Sequence, residues 1–222
     1  TAEGTLYDVD LRLRPSGQKG PVATQLSSFI HYQTSEAWTW EHLALTRARV
    51  ISGPCELASK VEGAIRAALV RPRERAKIAA DVRDMRQRIW AEKGTDNIWD
   101  MKQVRGGLVD LEFMAQYLQL IHADAHPEVL DQSTLGAYQK LTAAGLLPAA
   151  AADVLLPAAR LVNDLTQILR LCVSGPFDPA TAPSGLKELL ARAGDAPSFA
   201  TLEQRLRQTL ADVHAMFDVI VV

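Results

Sequence analysis

The residues best suited to chemistry stand near the start of the chain, in Leu6-Tyr7-Asp8-Val9-Asp10-Leu11-Arg12-Leu13-Arg14-Pro15. Apolar and charged residues alternate strictly, which predicts a strand from Thr5 to Leu13. Tyr7, Val9, Leu11 and Leu13 then share one face, and Asp8, Asp10, Arg12 and Arg14 share the other. Two readings fit that charged face. An edge strand uses such residues to block pairing with another strand. Alternatively, a carboxylate that helps hold Mg²⁺, beside guanidinium groups suited to phosphate oxygens, is the mixture that phosphoryl or nucleotidyl transfer requires.

Other groups invite the same double reading. Gly106-Gly107 precedes a helical pattern, so its N–H groups could take an anion or simply form a turn. Asp110 would then sit in the first helical turn, where its charge favours the dipole. Glu112 and Gln116 are four apart, on the side away from Leu111 and Leu118. Glu41 and Arg49 are eight apart and would share a face if one helix contained both, with Arg47 elsewhere. These charges suit either phosphate contact or ion pairing. Trp38 and Trp40 are expected in the core, and Cys55 and Cys172 as buried or incidental thiols. His122 and His126 have a spacing that can chelate zinc, but Pro127 follows and no HExxH pattern occurs. There is no P-loop, no GxGxxG and no Ser-His-Asp arrangement.

The elements that must position these residues are almost all helical. Pro15-Ser16-Gly17 and Lys19-Gly20-Pro21 break the first strand, and a short extended piece, Val22 to Leu26, is expected next. Ala37, Trp40, Ala44, Ala48 and Ile51 predict a helix ended by Ser52-Gly53-Pro54. Further helices are predicted over 56–70, over a stretch carrying Ile78, Val82, Met85 and Ile89 with Lys77, Arg83, Arg86 and Arg88 outside, and over 108–122. The last of these has Leu111, Met114, Ala115, Leu118 and Ile121 as its inner stripe. Helices near 133–145, 148–173, 184–194 and 198–220 complete the chain, with Pro157 in a first turn or at a kink. One or two strands cannot stand alone. That expectation, and a start near a strand without an initiator Met, make the sequence read as a segment of something longer.

Composition narrows the class. The 222 residues are 48% apolar and 23% charged, enough to bury a core. Lys and Arg number 24 against 26 Asp and Glu, a net charge of −2, which argues against binding nucleic acid or anionic membrane by bulk charge. Two cysteines make neither a disulfide framework nor a cysteine-rich zinc site and fit a reducing cytosol. No apolar run approaches the ~20 residues of a membrane span.

Three ordered blocks together resemble a known family. LYDVDLRLRPSG, then YQTSEAWTWEHLALTRAR from Tyr32 to Arg49, then KQVRGGLVDLEFMAQYLQL from Lys102, are similar to glutamine synthetase adenylyltransferase. This is the bifunctional family with two nucleotidyltransferase halves, one attaching AMP to glutamine synthetase and one removing it. The spelling of the Gly106 to Phe113 block is closer to the C-terminal, adenylylating half. The related uridylyltransferase of the PII signalling protein shares the helical domain but lacks the WE-AL-RAR spelling.

The resemblance implies a mainly α fold: a helical bundle, residues 61–222, preceded by the C-terminal remnant of a polymerase-β-like nucleotidyltransferase α/β domain, residues 1–60. It implies ATP as substrate, Mg²⁺ as cofactor, a tyrosine of glutamine synthetase as acceptor and PII signalling protein as a regulatory partner. By the same resemblance Asp10 is the third metal-binding, catalytic carboxylate and Asp8 its looser neighbour at the metal. Arg12, Arg14 and Arg49 would bind nucleotide. The family's Gly-Ser turn followed by Asp-x-Asp does not occur in these residues, so the segment alone is expected to be inactive. Two alternatives stay open: a non-catalytic helical module that docks glutamine synthetase or PII, and the deadenylylating, phosphorolytic half. A cytoplasmic monomer that binds neither nucleic acid nor membrane is expected.

Overall fold

Nine α-helices make up nearly all the regular structure of residues 10, 11 and 13–222, the part described by a computed structural model. They are α1 (Leu26–Ser35), α2 (Thr39–Leu45), α3 (Cys55–Leu69), α4 (Arg75–Lys93), α5 (Leu108–His122), α6 (Thr134–Ala143), α7 (Ala149–Cys172), α8 (Ser184–Ala193) and α9 (Phe199–Ile220). The fold is a mainly α helical bundle, as the helical periodicity implies, and no strand occurs among the described residues. The predicted strand over Thr5 to Leu13 falls mostly outside them. Val22 to Leu26 does not form one extended piece: the chain bends at Val22 and Ala23, is extended at Gln25 and enters α1 at Leu26.

The centre of the bundle is α5, which packs against α2, α4, α6, α7 and α9. Its expected stripe is buried at Leu111, Met114, Ala115 and Leu118, and Val109, Tyr117 and Leu120 are buried as well. A helix enclosed on most sides cannot show a clean amphipathic pattern. Its neighbours do: α9 buries Leu202, Leu206, Leu210, Val213, Phe217 and Ile220 at steps of three and four. In α7, Leu155, Val162, Leu165 and Leu169 do the same, and the helix runs through Pro157 with that residue on its exposed side. Side-chain caps fix two starts, Ser133 accepting from the Gly136 N–H (2.9 Å) and Ser198 from the Thr201 N–H (3.1 Å).

One polar network crosses this apolar centre. Arg86 of α4 and Asp110 of α5 form an ion pair, each with only 1% of its side chain exposed. Asp110 also accepts from the Gly106 N–H, and the Arg86 guanidinium donates to the Gln103 and Val104 carbonyls, both at 3.4 Å. Arg86 is therefore inside, contrary to the outward position read from its charge. The buried face of α4 runs Ile78, Ala79, Val82, Arg86, and Met85 and Ile89 are half-buried beside it. Gly106 has a φ of 74°, and a Cβ there would overlap the Leu210 carbonyl of α9. A Cβ on Gly107 would meet the Met101 carbonyl, which already accepts from the Leu108 N–H at 2.7 Å. The two glycines thus let one turn lie flat between α4, α5 and α9.

Removing the Asp110 charge leaves a buried guanidinium without its counter-ion, which costs about 3–5 kcal/mol. Asp110→Asn is expected to lower unfolding free energy by that amount in urea titrations. Gly106→Ala is expected to destabilise by about 2 kcal/mol or more, through backbone strain and overlap together.

Candidate functional site

The three sequence blocks meet at one place. The first turn of the described chain, α2 with the loop after it, and the middle of α5 all line a cavity of about 700 Å³. Leu13, Arg14 and Pro15 come from the first block, Trp40, Glu41 and Arg47 from the second, and Glu112, Phe113 and Gln116 from the third. Phe29, Leu43, Val61, Ile65 and Met85 complete an apolar wall.

Local structure explains each polar group's position. Arg14 closes the turn, its Nε donating to the Gly20 carbonyl (3.2 Å) and its Nη1 to the Leu11 carbonyl (2.6 Å). Glu41 anchors the start of α2: one oxygen accepts from the Trp38 N–H (2.9 Å) and the other from the Tyr32 hydroxyl (2.8 Å). α2 stops at Leu45, because the N–H groups of Thr46, Arg47 and Ala48 turn to carbonyls three residues back and the Thr46 hydroxyl caps Leu43 (2.7 Å). Arg49 thus lies beyond the helix and shares no helical face with Glu41. Arg47 instead reaches α5 and pairs with Glu112 at 2.6 Å. Both are partly exposed, so the pair sets position more than stability.

The predicted site residues divide accordingly. Asp8 and Arg12 lie outside the described residues. Asp10 is exposed. Arg14 is at the 700 Å³ cavity, but Arg49 is exposed on a separate one of about 410 Å³, beside Arg66, Glu62 and Lys140. Arg14 and Arg49 therefore do not line the same cavity. One described carboxylate does not make a Mg²⁺ site, and among the described residues no group of three His, Cys, Asp or Glu could hold a metal, so Asp10 fits at most as one ligand of a larger set. His122 and His126 belong to no such group. Gly106-Gly107 offers no open anion site: its N–H groups are taken by Asp110 and the Val104 carbonyl.

Trp38 and Trp40 are surface residues rather than core, Trp38 at 71% exposure, because one precedes α2 and the other faces the cavity. Both cysteines are exposed at helix ends. Sequence reasoning missed Gln33, whose spacing carries no signal, and the network behind it. Buried His42 bridges the Gln33 carbonyl (Nε2, 3.0 Å) and Arg73 (Nδ1, 3.0 Å), and Arg73 also donates to the Ala68 carbonyl (2.8 Å). Burial and then the Arg73 charge push the His42 pKa down, so the ring is neutral, donating from Nε2 and accepting at Nδ1.

The family described as glutamate-ammonia ligase adenylyltransferase matches residues 1–64, which contain the first two blocks. The family described as GlnD PII-uridylyltransferase matches residues 64–221, most of the bundle. A protein of Rhodopseudomonas palustris (strain BisB5) named bifunctional glutamine synthetase adenylyltransferase/adenylyl-removing enzyme is 58% identical over 98% of this chain. The chain belongs to the glutamine synthetase adenylyltransferase family. Proteins of the same name in Bradyrhizobium sp. (strain BTAi1) and Xanthobacter autotrophicus (strain Py2) are 55% and 52% identical, again over 98% of the chain. The chain spans 22% of the length of each of these three adenylyltransferases. No helix among its described residues is long and apolar enough to cross a membrane.

The neutral His42 gives a pH dependence. Its folded pKa lies below the ordinary 6.5, so the unfolded chain takes up a proton that the folded chain refuses. Its contribution to stability is complete above about pH 6.5 and declines as pH falls from there towards the lower folded value. The loss of stability between pH 7 and pH 5 is expected to be smaller in His42→Gln than in wild type, as read by paired urea titrations.

Proposed function

We propose that the chain is part of the adenylylating half of a glutamine synthetase adenylyltransferase, contributing the nucleotide-side wall and the helical bundle of that half. The reaction is transfer of AMP from ATP to a tyrosine hydroxyl of glutamine synthetase. The tyrosine oxygen bonds to the α-phosphorus, the bond to the β-phosphate oxygen breaks, diphosphate leaves and the hydroxyl loses its proton. The observation that carries the reading is the meeting of the three family blocks at one cavity, with Leu13, Arg14 and Pro15 of the first block among its lining. The spelling Gly106-Gly107-Leu108-Val109-Asp110-Leu111-Glu112-Phe113 supports the adenylylating over the deadenylylating half.

Within this reading Asp10, with Asp8 beside it in sequence, is one ligand of a Mg²⁺ that carboxylates outside residues 1–222 complete. Arg12 and Arg14 supply positive charge along the phosphates, and Arg49 adds to it from the separate cavity, which shares Ala48 and Ile65 with the first. The boundary between nucleotidyltransferase remnant and bundle falls near residue 60. The protein acts as a cytoplasmic monomer regulated by PII signalling protein, and the 222-residue segment is inactive by itself.

A second reading, a docking module for glutamine synthetase or PII, has its own support. The large apolar side chains left exposed concentrate between Leu11 and Leu57, including Leu13, Val22, Trp38 and Ile51. Exposed apolar side chains in such number are a feature of interaction surfaces.

Intact-mass spectrometry of glutamine synthetase incubated with ATP and Mg²⁺ separates the two. An AMP adduct is expected from a polypeptide carrying the preceding sequence of the full-length protein and none from the segment. Asp10→Asn in the long form is expected to slow adduct formation roughly a hundredfold or more. An undiminished rate in that variant would exclude Asp10 from the metal site. No adduct from any form, together with binding of glutamine synthetase, would favour the docking module.

A further inference from the structure

Exposed large apolar side chains are unevenly spread over the described residues. Eight of the eleven lie between Leu11 and Leu57, and the much longer remainder contributes only Leu171, Val219 and Val222. The ten-residue α1 buries one residue, the polar Gln33. Tryptophan is highly buried on average, yet Trp38 is 71% exposed and Trp40 41%.

These two tryptophans rim a cleft of about 310 Å³, lined also by Asp81, Asp84 and Arg88 of α4. Two carboxylates against one guanidinium leave the lining negative. Asp81 accepts from the Thr39 hydroxyl and from Lys77 (2.7 Å), both at Oδ2, and Asp84 meets Arg88 through Oδ2 (2.9 Å). The Oδ1 of each is left for a further donor. Among the described residues no cation lies over either indole ring. Tryptophan is the aromatic side chain that attracts a cation best, and a lysine or arginine can lay its apolar stem on such rings while its head reaches a carboxylate.

The cleft joins the start of α2 to α4, and so joins residues 1–60 to the bundle. The chain spans 22% of the length of its relatives, so polypeptide to cover this surface is at hand. A surface this apolar suits a lasting contact better than a reversible one. We propose that a lysine or arginine from the rest of the nucleotidyltransferase domain, outside residues 1–222, sits between Trp38 and Trp40 beside Asp81 and Asp84, and keys that domain to the bundle. The choice of that segment rests on the adenylyl-transfer reading; the basic character of the side chain does not.

Hydroxyl-radical footprinting of the full-length protein, read by peptide mass spectrometry, tests the cover. Trp99, 5% exposed, is the internal reference. Trp38 is expected to oxidise within about twofold of Trp99, against roughly tenfold faster or more for an uncovered ring. Asp84→Lys is expected to raise Trp38 oxidation about threefold or more by repelling the basic side chain, and Asp84→Glu to leave it unchanged. Slow oxidation of Trp99 in the same sample shows that each variant is folded; should Asp84→Lys fail to fold, Asp84→Asn takes its place. A photoreactive benzophenone amino acid in place of Trp38 is expected to cross-link to the nucleotidyltransferase segment. Rapid oxidation of Trp38 in the wild type, protection that needs added glutamine synthetase, no response to Asp84→Lys, or cross-links only to other segments would overturn the proposal. AMP transfer and its loss in Asp10→Asn are read in a separate assay and can hold in any of those cases, so the two failures are distinguishable.

Discussion

The Arg86–Asp110 ion pair is the constraint on which the rest of the described structure depends. Two opposite charges taken almost wholly out of water are stable together and costly apart. Their carbonyl and N–H partners come from the turn before α5, so the pair fixes α4, α5 and that turn in one arrangement. Glycine at 106 and 107 lets the same turn lie against α9 and against Met101. A motif that invites a phosphate-binding reading is therefore a device for seating a helix. The consequence for function is indirect: once α5 is seated, Glu112 and Gln116 stand at the cavity.

From that helix the site is assembled outward. Glu112 holds Arg47 and so draws the loop after α2 towards α5. Glu41 holds the start of α2 and Tyr32 of α1. His42, kept neutral by burial and by Arg73, ties α2 to the end of α1 and to the residues between α3 and α4. The charged residues of the second family block are thus largely occupied in holding the cavity's wall.

Much of the fold is legible in the sequence where periodicity and punctuation agree. The helix predicted over 108–122 has those ends, and those near 148–173 and 198–220 differ from α7 and α9 by a residue or so, because Gly, Pro and Ser stand at their limits. The sequence misleads where a residue's ordinary preference is overridden. Arg86 looks outward by charge, yet it lies four residues from Val82 and seven from Ala79, the spacing of a buried face. Trp38 looks inward by hydrophobicity, yet it precedes the seven-residue α2 and is 71% exposed. Arg49 is misplaced because nothing in WEHLALTRAR signals the change of hydrogen bonding at Thr46. The family blocks are readable as a resemblance, but their meeting at one cavity is a tertiary fact. Gln33 lies within the second block, yet nothing in its type or spacing marks it as part of the cavity.

Amide hydrogen exchange in the intact 222-residue chain tests the central claim, that the Gly106-to-Asp110 turn is a structural lock. The Gly106 N–H is held by Asp110 and the Leu108 N–H by Met101. The account predicts that both exchange as slowly as the innermost amides of α5, through global unfolding alone. Exchange of these two amides at the rate of an exposed loop, while α5 stays protected, would contradict it.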